Sequence, residues 1–170
     1  MFATGSEAGS VTIAKVRGIP ILLHWSVGLV AVLFGMALAT SYGWGAAATA
    51  VVAFFVSIVL HELGHAFAAR RFGVNTEMVQ LGALGGVARL DREAPTPRAE
   101  AWIAGSGPLV SIVLGVVAFA AFLGLRAAGL GGSYVAVVAW LGLINLLLAG
   151  FNLLPGAPLD GGRLLKAWRW

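Results

Sequence analysis

The sequence predicts an all-α polytopic membrane protein of about four transmembrane helices, with a small strand-like hairpin between the second and third. Composition, apolar run length and the placement of the cations each lead there. Of the 170 residues 59% are hydrophobic and 11% are charged, against roughly 25% charged in soluble globular domains. Too little polar surface remains to cover a water-soluble fold, and an abundance of Gly and Ala suits helices whose backbones approach closely in lipid. Four apolar runs of about 20 residues each follow along the chain, enough to cross a hydrocarbon core of roughly 30 Å at 1.5 Å per residue. With four spans, all of the eleven Lys and Arg except Arg126 fall on one side, the bias that marks a cytoplasmic face.

Taken in order, Met1 to Arg17 is polar and small. The apolar run behind it is too long for a signal-peptide core and has no evident cleavage site, so a retained first span is expected over residues 19–40. After Ser41-Tyr42-Gly43 the second span covers 44–69, apolar except for His61, Glu62 and His65 close to its far end. Residues 74–90 are not a solvated linker. Met78, Val79, Leu81, Leu84, Val87 and Leu90 are interspersed with Gly82, Gly85 and Gly86, a pattern that predicts a hairpin dipping toward the membrane. Residues 92–97, with two prolines, are the linker. Spans three and four cover 101–125 and 134–154, and the Gly-rich turn 129–133 makes them a hairpin. The whole chain, 1–170, reads as one core with both termini and the 70–100 loop on the cytoplasmic side. Trp25, Trp44, Trp168 and Trp170 are expected as interfacial anchors.

The formal charge of +4 does not indicate nucleic acid, because the cations lie between apolar runs and form no basic face alternating with aromatics. There is no cysteine, so neither a disulfide framework nor a thiolate metal site is available. Any metal must be held by His and carboxylate.

His61-Glu62-Leu63-Gly64-His65 has the HExxH pattern. On a helix the i, i+4 spacing places both imidazoles on one face, one turn apart, as two ligands of a single ion require. Glu62 lies about 100° round the helix, where a carboxylate can take a proton from water activated by the metal without itself being a ligand. Two His and a Glu at the end of an apolar span are costly if unpaired, so their default reading is functional. A catalytic zinc takes three protein ligands. Of the other acidic residues, Glu7, Glu77, Asp91, Glu93, Glu100 and Asp160, only Asp160 directly follows a span. It sits in Asn152-Leu153-Leu154-Pro155-Gly156-Ala157-Pro158-Leu159-Asp160-Gly161-Gly162, where prolines and glycines preclude a regular helix. Irregular backbone at membrane depth is tolerated where protein or a watery cavity satisfies it, which suits a hydrolytic site. Spans two and four both run toward the cytoplasm, so His61, His65 and Asp160 can meet.

Through HELGH at 61–65 and NLLPGAPLDGG at 152–162, the sequence resembles the site-2 protease family of intramembrane zinc metalloproteases, peptidase family M50. The likeness also takes in Gly18-Ile19-Pro20, His24-Trp25, Gly85-Gly86-Val87, Gly105-Ser106-Gly107-Pro108 and Arg163. It implies His61, His65 and Asp160 as ligands of one Zn²⁺ and Glu62 as catalytic base. It further implies Asn152 as an oxyanion stabiliser, although capping the backbone where the helix unwinds is equally open to that side chain. A strand-like segment in relatives implies that an unwound substrate adds as a strand to residues 74–90, with Gly85 and Gly86 admitting close approach; a hairpin that only shields the metal is the other reading. The implied substrates are membrane-spanning polypeptides such as membrane-tethered transcription-factor precursors or anti-sigma factors. Relatives commonly continue past the Asp-Gly-Gly motif with further spans.

Two other functions compete. A non-catalytic metal carrier or sensor could use the same ligands, but has no need of a base such as Glu62 beside them. A serine protease built on Ser106 lacks an independent Ser-His pair. His24 has no ligand spacing to His61 and stays outside the site.

Overall fold

A computed structural model describes residues 9–83 and 85–170, so Glu7 and Leu84 lie outside the described residues. The elements run β1 (Ser10–Val16), β2 (Ile19–His24), α1 (Ser26–Tyr42), α2 (Trp44–Arg71), β3 (Thr76–Gly82), β4 (Gly85–Leu90), α3 (Pro97–Ala127), α4 (Ser133–Asn152) and α5 (Asp160–Arg169).

The first span requires correction. Residues 19–24 do not begin a membrane helix; they form β2, antiparallel to β1 with Val16 opposite Ile19. Arg17 (φ 49°) and Gly18 (φ 88°) both take positive φ, as the two central residues of a tight type I′ hairpin must. Val11, Ile13, Val16, Ile19 and Ile21 are β-branched residues that suit a pleated surface. Hydropathy cannot separate such a run from helix, because a buried strand and a buried helix are equally apolar. What is left is α1, whose 17 residues reach about 25 Å. Among the described residues three helices, α2, α3 and α4, are long and apolar enough to cross a membrane.

The expected hairpin between the second and third spans exists as β3 and β4, but it is half of a sheet ordered β1-β2-β3-β4. β2 runs parallel to β3, with Ile21 opposite Val79 and Leu23 opposite Leu81, and α1 with α2 provides the crossover that a parallel pair requires. The sheet is held against the HExxH half of α2, where Ile19, Ile21 and Val79 pack on Leu63 and Ala66. β4 is the outer strand beside that helix.

α3 begins where Thr96 accepts a hydrogen bond from the Ala99 N–H (3.1 Å) and Pro97 takes the first helical position, two strong start signals. α4 is tied to α2 by Asn145 Nδ2, which donates to Ser57 Oγ at 3.1 Å. The unwinding expected through Gly162 is confined to residues 153–159, and helix resumes as α5 at Asp160. A salt bridge from Arg163 Nε to Glu100 Oε1, 2.9 Å, anchors α5 to α3.

Candidate metal centre

α2 carries His61 and His65 one turn apart, 3% and 4% exposed. Their Nε2 atoms are 3.2 Å apart. The turn before α5 brings in Asp160, whose Oδ2 is 3.2 Å from each Nε2. Three donor atoms from two distant segments thus form an equilateral triangle. A tetrahedral ion with bonds of 2.0–2.1 Å holds its ligand atoms about 3.3 Å apart, so zinc fits with almost no adjustment.

The donor chemistry agrees. His65 Nδ1 is 2.7 Å from the Ile103 carbonyl, which can only accept, so Nδ1 carries the proton and Nε2 of the neutral ring presents a lone pair. That lone pair faces the other imidazole and a carboxylate oxygen, an arrangement calling for a cation at its centre.

Glu62 is buried beside the triangle and is not one of its corners. β4 closes over it. A Cβ on Gly86 would come within 2.5 Å of Glu62 Cγ and 2.8 Å of Oε1, so the strand reaches the carboxylate because residue 86 has no side chain. Gly85 is different: φ of 122° and open space around it make it the turn residue of the β3–β4 hairpin.

α3 forms the opposite wall. Ile103, Gly107 and Ser111 recur every four residues and so share one face. The Ile103 carbonyl accepts from His65, Ser111 Oγ lies 2.9 Å from His61 Nδ1, and a Cβ at Gly107 would overlap His65 Nε2 and stand 2.7 Å from His61 Nε2. Gly107 falls within the Gly105-Ser106-Gly107-Pro108 stretch of the family likeness, whereas no motif marks Ser111. The signal was a serine in an apolar run, four residues beyond a glycine.

Asn152 ends α4, and its Nδ2 donates to the Leu148 carbonyl at 2.9 Å, a bond within its own helix. His24 Nδ1 accepts from Ser26 Oγ at 2.7 Å, at the junction of β2 and α1. Ser106 Oγ donates to the Ile103 carbonyl at 2.7 Å.

The sequence model of peptidase family M50 matches residues 49–131 and 126–170. The chain is 39% identical over 172 residues to Rip3 of Mycobacterium tuberculosis, covering 95% of this chain and 44% of that protein. It is likewise 39% identical over 162 residues to a zinc metalloprotease of Methanocaldococcus jannaschii, covering 93% and 45%. It therefore spans about half the length of the curated relatives it matches. Among solved structures, the site-2 protease from Methanocaldococcus jannaschii superposes with a TM-score of 0.70 at 35% identity, over 94% of this chain and 71% of that one. By sequence and by fold alike, the chain belongs to peptidase family M50, the site-2 protease family.

Proposed function

We propose that this chain is the core of an intramembrane zinc metalloprotease that hydrolyses peptide bonds in or near the transmembrane segments of membrane-tethered proteins. The observation that carries this reading is the 3.2 Å triangle of His61 Nε2, His65 Nε2 and Asp160 Oδ2 with a buried non-ligand carboxylate, Glu62, beside it. The three would hold one Zn²⁺, which when bound acidifies water and polarises a carbonyl. Glu62 takes the proton from the attacking water and returns it to the leaving amine. Its walls of apolar residues keep that proton transfer out of bulk solvent. A substrate strand lies along β4, Gly85 and Gly86 admitting its backbone, so that the scissile carbonyl reaches Glu62. Asn152 serves the oxyanion only after its side chain leaves the Leu148 carbonyl. The placement of Lys and Arg supports a cytoplasmic site and cytoplasmic termini, with the whole of 1–170 acting as one unit.

The test is zinc content and cleavage of a membrane-spanning model substrate by purified wild type, Glu62→Gln and Asp160→Asn in detergent. One zinc per chain in wild type and Glu62→Gln is expected, with cleavage lost in both variants by at least about 100-fold and zinc weakened in Asp160→Asn. Cleavage that persists in Glu62→Gln overturns the mechanism. Zinc held without cleavage by any form turns the reading toward a metal carrier or sensor.

A further inference from the structure

We infer that Ser111 is a positioning residue for His61: its hydroxyl accepts the Nδ1–H of that imidazole and so keeps Nε2 free of its proton and aimed at the metal. The inference rests on the zinc reading above and deepens it. His65 has its tautomer set by the Ile103 carbonyl, 2.7 Å from Nδ1, and a carbonyl has no proton to give. Nothing of that kind fixes His61. Were its proton on Nε2, it would point into the triangle at His65 Nε2 and Asp160 Oδ2, each 3.2 Å away, and block ligation. Ser111 Oγ, 2.9 Å from Nδ1, is the polar group placed to hold the proton on the other nitrogen.

The geometry of the two helices makes this pairing systematic. His61 meets Ser111 and His65 meets Ile103, so α3 runs antiparallel to α2, and Gly107 lies midway along the same face, where it leaves room for both Nε2 atoms. Ser111 is 0% exposed, in an otherwise apolar stretch of α3. A hydroxyl can donate as well as accept, and among the described residues His61 Nδ1 is the partner that the structure gives Ser111 Oγ; accepting from Nδ1–H is the direction that leaves His61 Nε2 a lone pair for the metal. Partners of this sort on metal-bound imidazoles raise ligand basicity and fix ring orientation.

The experiment compares wild type, Ser111→Ala and Ser111→Thr, all as the full chain in detergent. Zinc affinity is measured by competition with a chelator, and the thermal midpoint is measured separately on metal-free protein. The expected result is a 10- to 100-fold loss of zinc affinity in Ser111→Ala, a metal-free midpoint equal to wild type, and recovery of affinity in Ser111→Thr, which keeps the hydroxyl. Wild-type affinity in Ser111→Ala overturns the assignment. So does equal weakening in both variants with a lowered metal-free midpoint, which would make Ser111 a packing residue. A wild type that holds well under one zinc per chain overturns the metal reading itself, and this inference with it.

Discussion

Two glycines bound the site from opposite sides, and their contacts separate metal binding from proton transfer. Gly107 on α3 faces the Nε2 atoms of both imidazoles, whereas Gly86 on β4 faces the carboxylate of Glu62. A methyl at 107 would occupy the space of the two Nε2 atoms; a methyl at 86 would displace Glu62 and leave the triangle intact. Overpacking of this kind costs about 1–3 kcal/mol, roughly a 5- to 150-fold change in whichever equilibrium it opposes. Gly107→Ala is therefore expected to lose zinc affinity at least about fivefold, and cleavage with it. Gly86→Ala is expected to keep its zinc and lose cleavage, and Gly85→Ala, with open space around it, to act through the turn alone. Zinc content and cleavage rate measured on the same preparations check all three, and zinc retained by Gly107→Ala would contradict the packing described.

At the scale of elements, α5 places Asp160, the third corner of the triangle. Asp160 is its first residue and Arg163 its fourth, so the ion pair with Glu100 on α3 fixes the turn that carries the ligand. Glu100 has a side chain 9% exposed and Arg163 one 33% exposed, so the loss of Arg163 strands a buried carboxylate. Removing one member of a buried pair is costly, while replacing both by apolar residues is close to neutral. Arg163→Leu is thus expected to lower the thermal midpoint and loosen zinc, and Glu100→Leu with Arg163→Leu to recover the midpoint. Unfolding scans with and without chelator measure both; a double variant no better than the single would mean that the pair does not dock α5.

The same scale explains what was legible in advance. His61, Glu62 and His65 could be read because a helix repeat converts i, i+4 into one face without tertiary information, and Asp160 because prolines and glycines mark irregular backbone at the end of an apolar run. β2 could not, since Ile19 to His24 continues the hydropathy of α1 without a break, and its partner β3 lies more than fifty residues away. The cue was local: Arg17-Gly18 between β-branched residues. Ser111 and Gly107 were hidden for another reason. Nothing in an apolar helix says which face meets α2 until the helices are packed.

For the whole molecule, the sheet determines where α1 must go. β2 is hydrogen-bonded to β3, and β3 follows the end of α2 that carries the HExxH motif, so α1 starts on the site's side. Its other end, Tyr42, is one residue from Trp44 at the start of α2, on the far side. α1 therefore runs between the same two ends as α2 in the opposite direction, although its 17 residues are short for a bilayer of roughly 30 Å. Trp25 and Trp44, 68% and 72% exposed, stand at its two ends as interfacial anchors would. On the proposed four-passage topology Lys15, Arg98 and Lys166 stand on one side and the α3–α4 turn on the other. Because the chain has no cysteine, single substitutions report sidedness without background. In sealed inside-out vesicles a membrane-impermeant maleimide is expected to label Lys15→Cys, Arg98→Cys and Lys166→Cys and to spare Ser133→Cys, with the pattern reversed in right-side-out cells. Labelling of Lys15→Cys from the side opposite Arg98→Cys would mean that the sheet pairing of β2 with β3 does not hold in the bilayer, and would remove the support that β2 gives to the helix bearing the metal ligands.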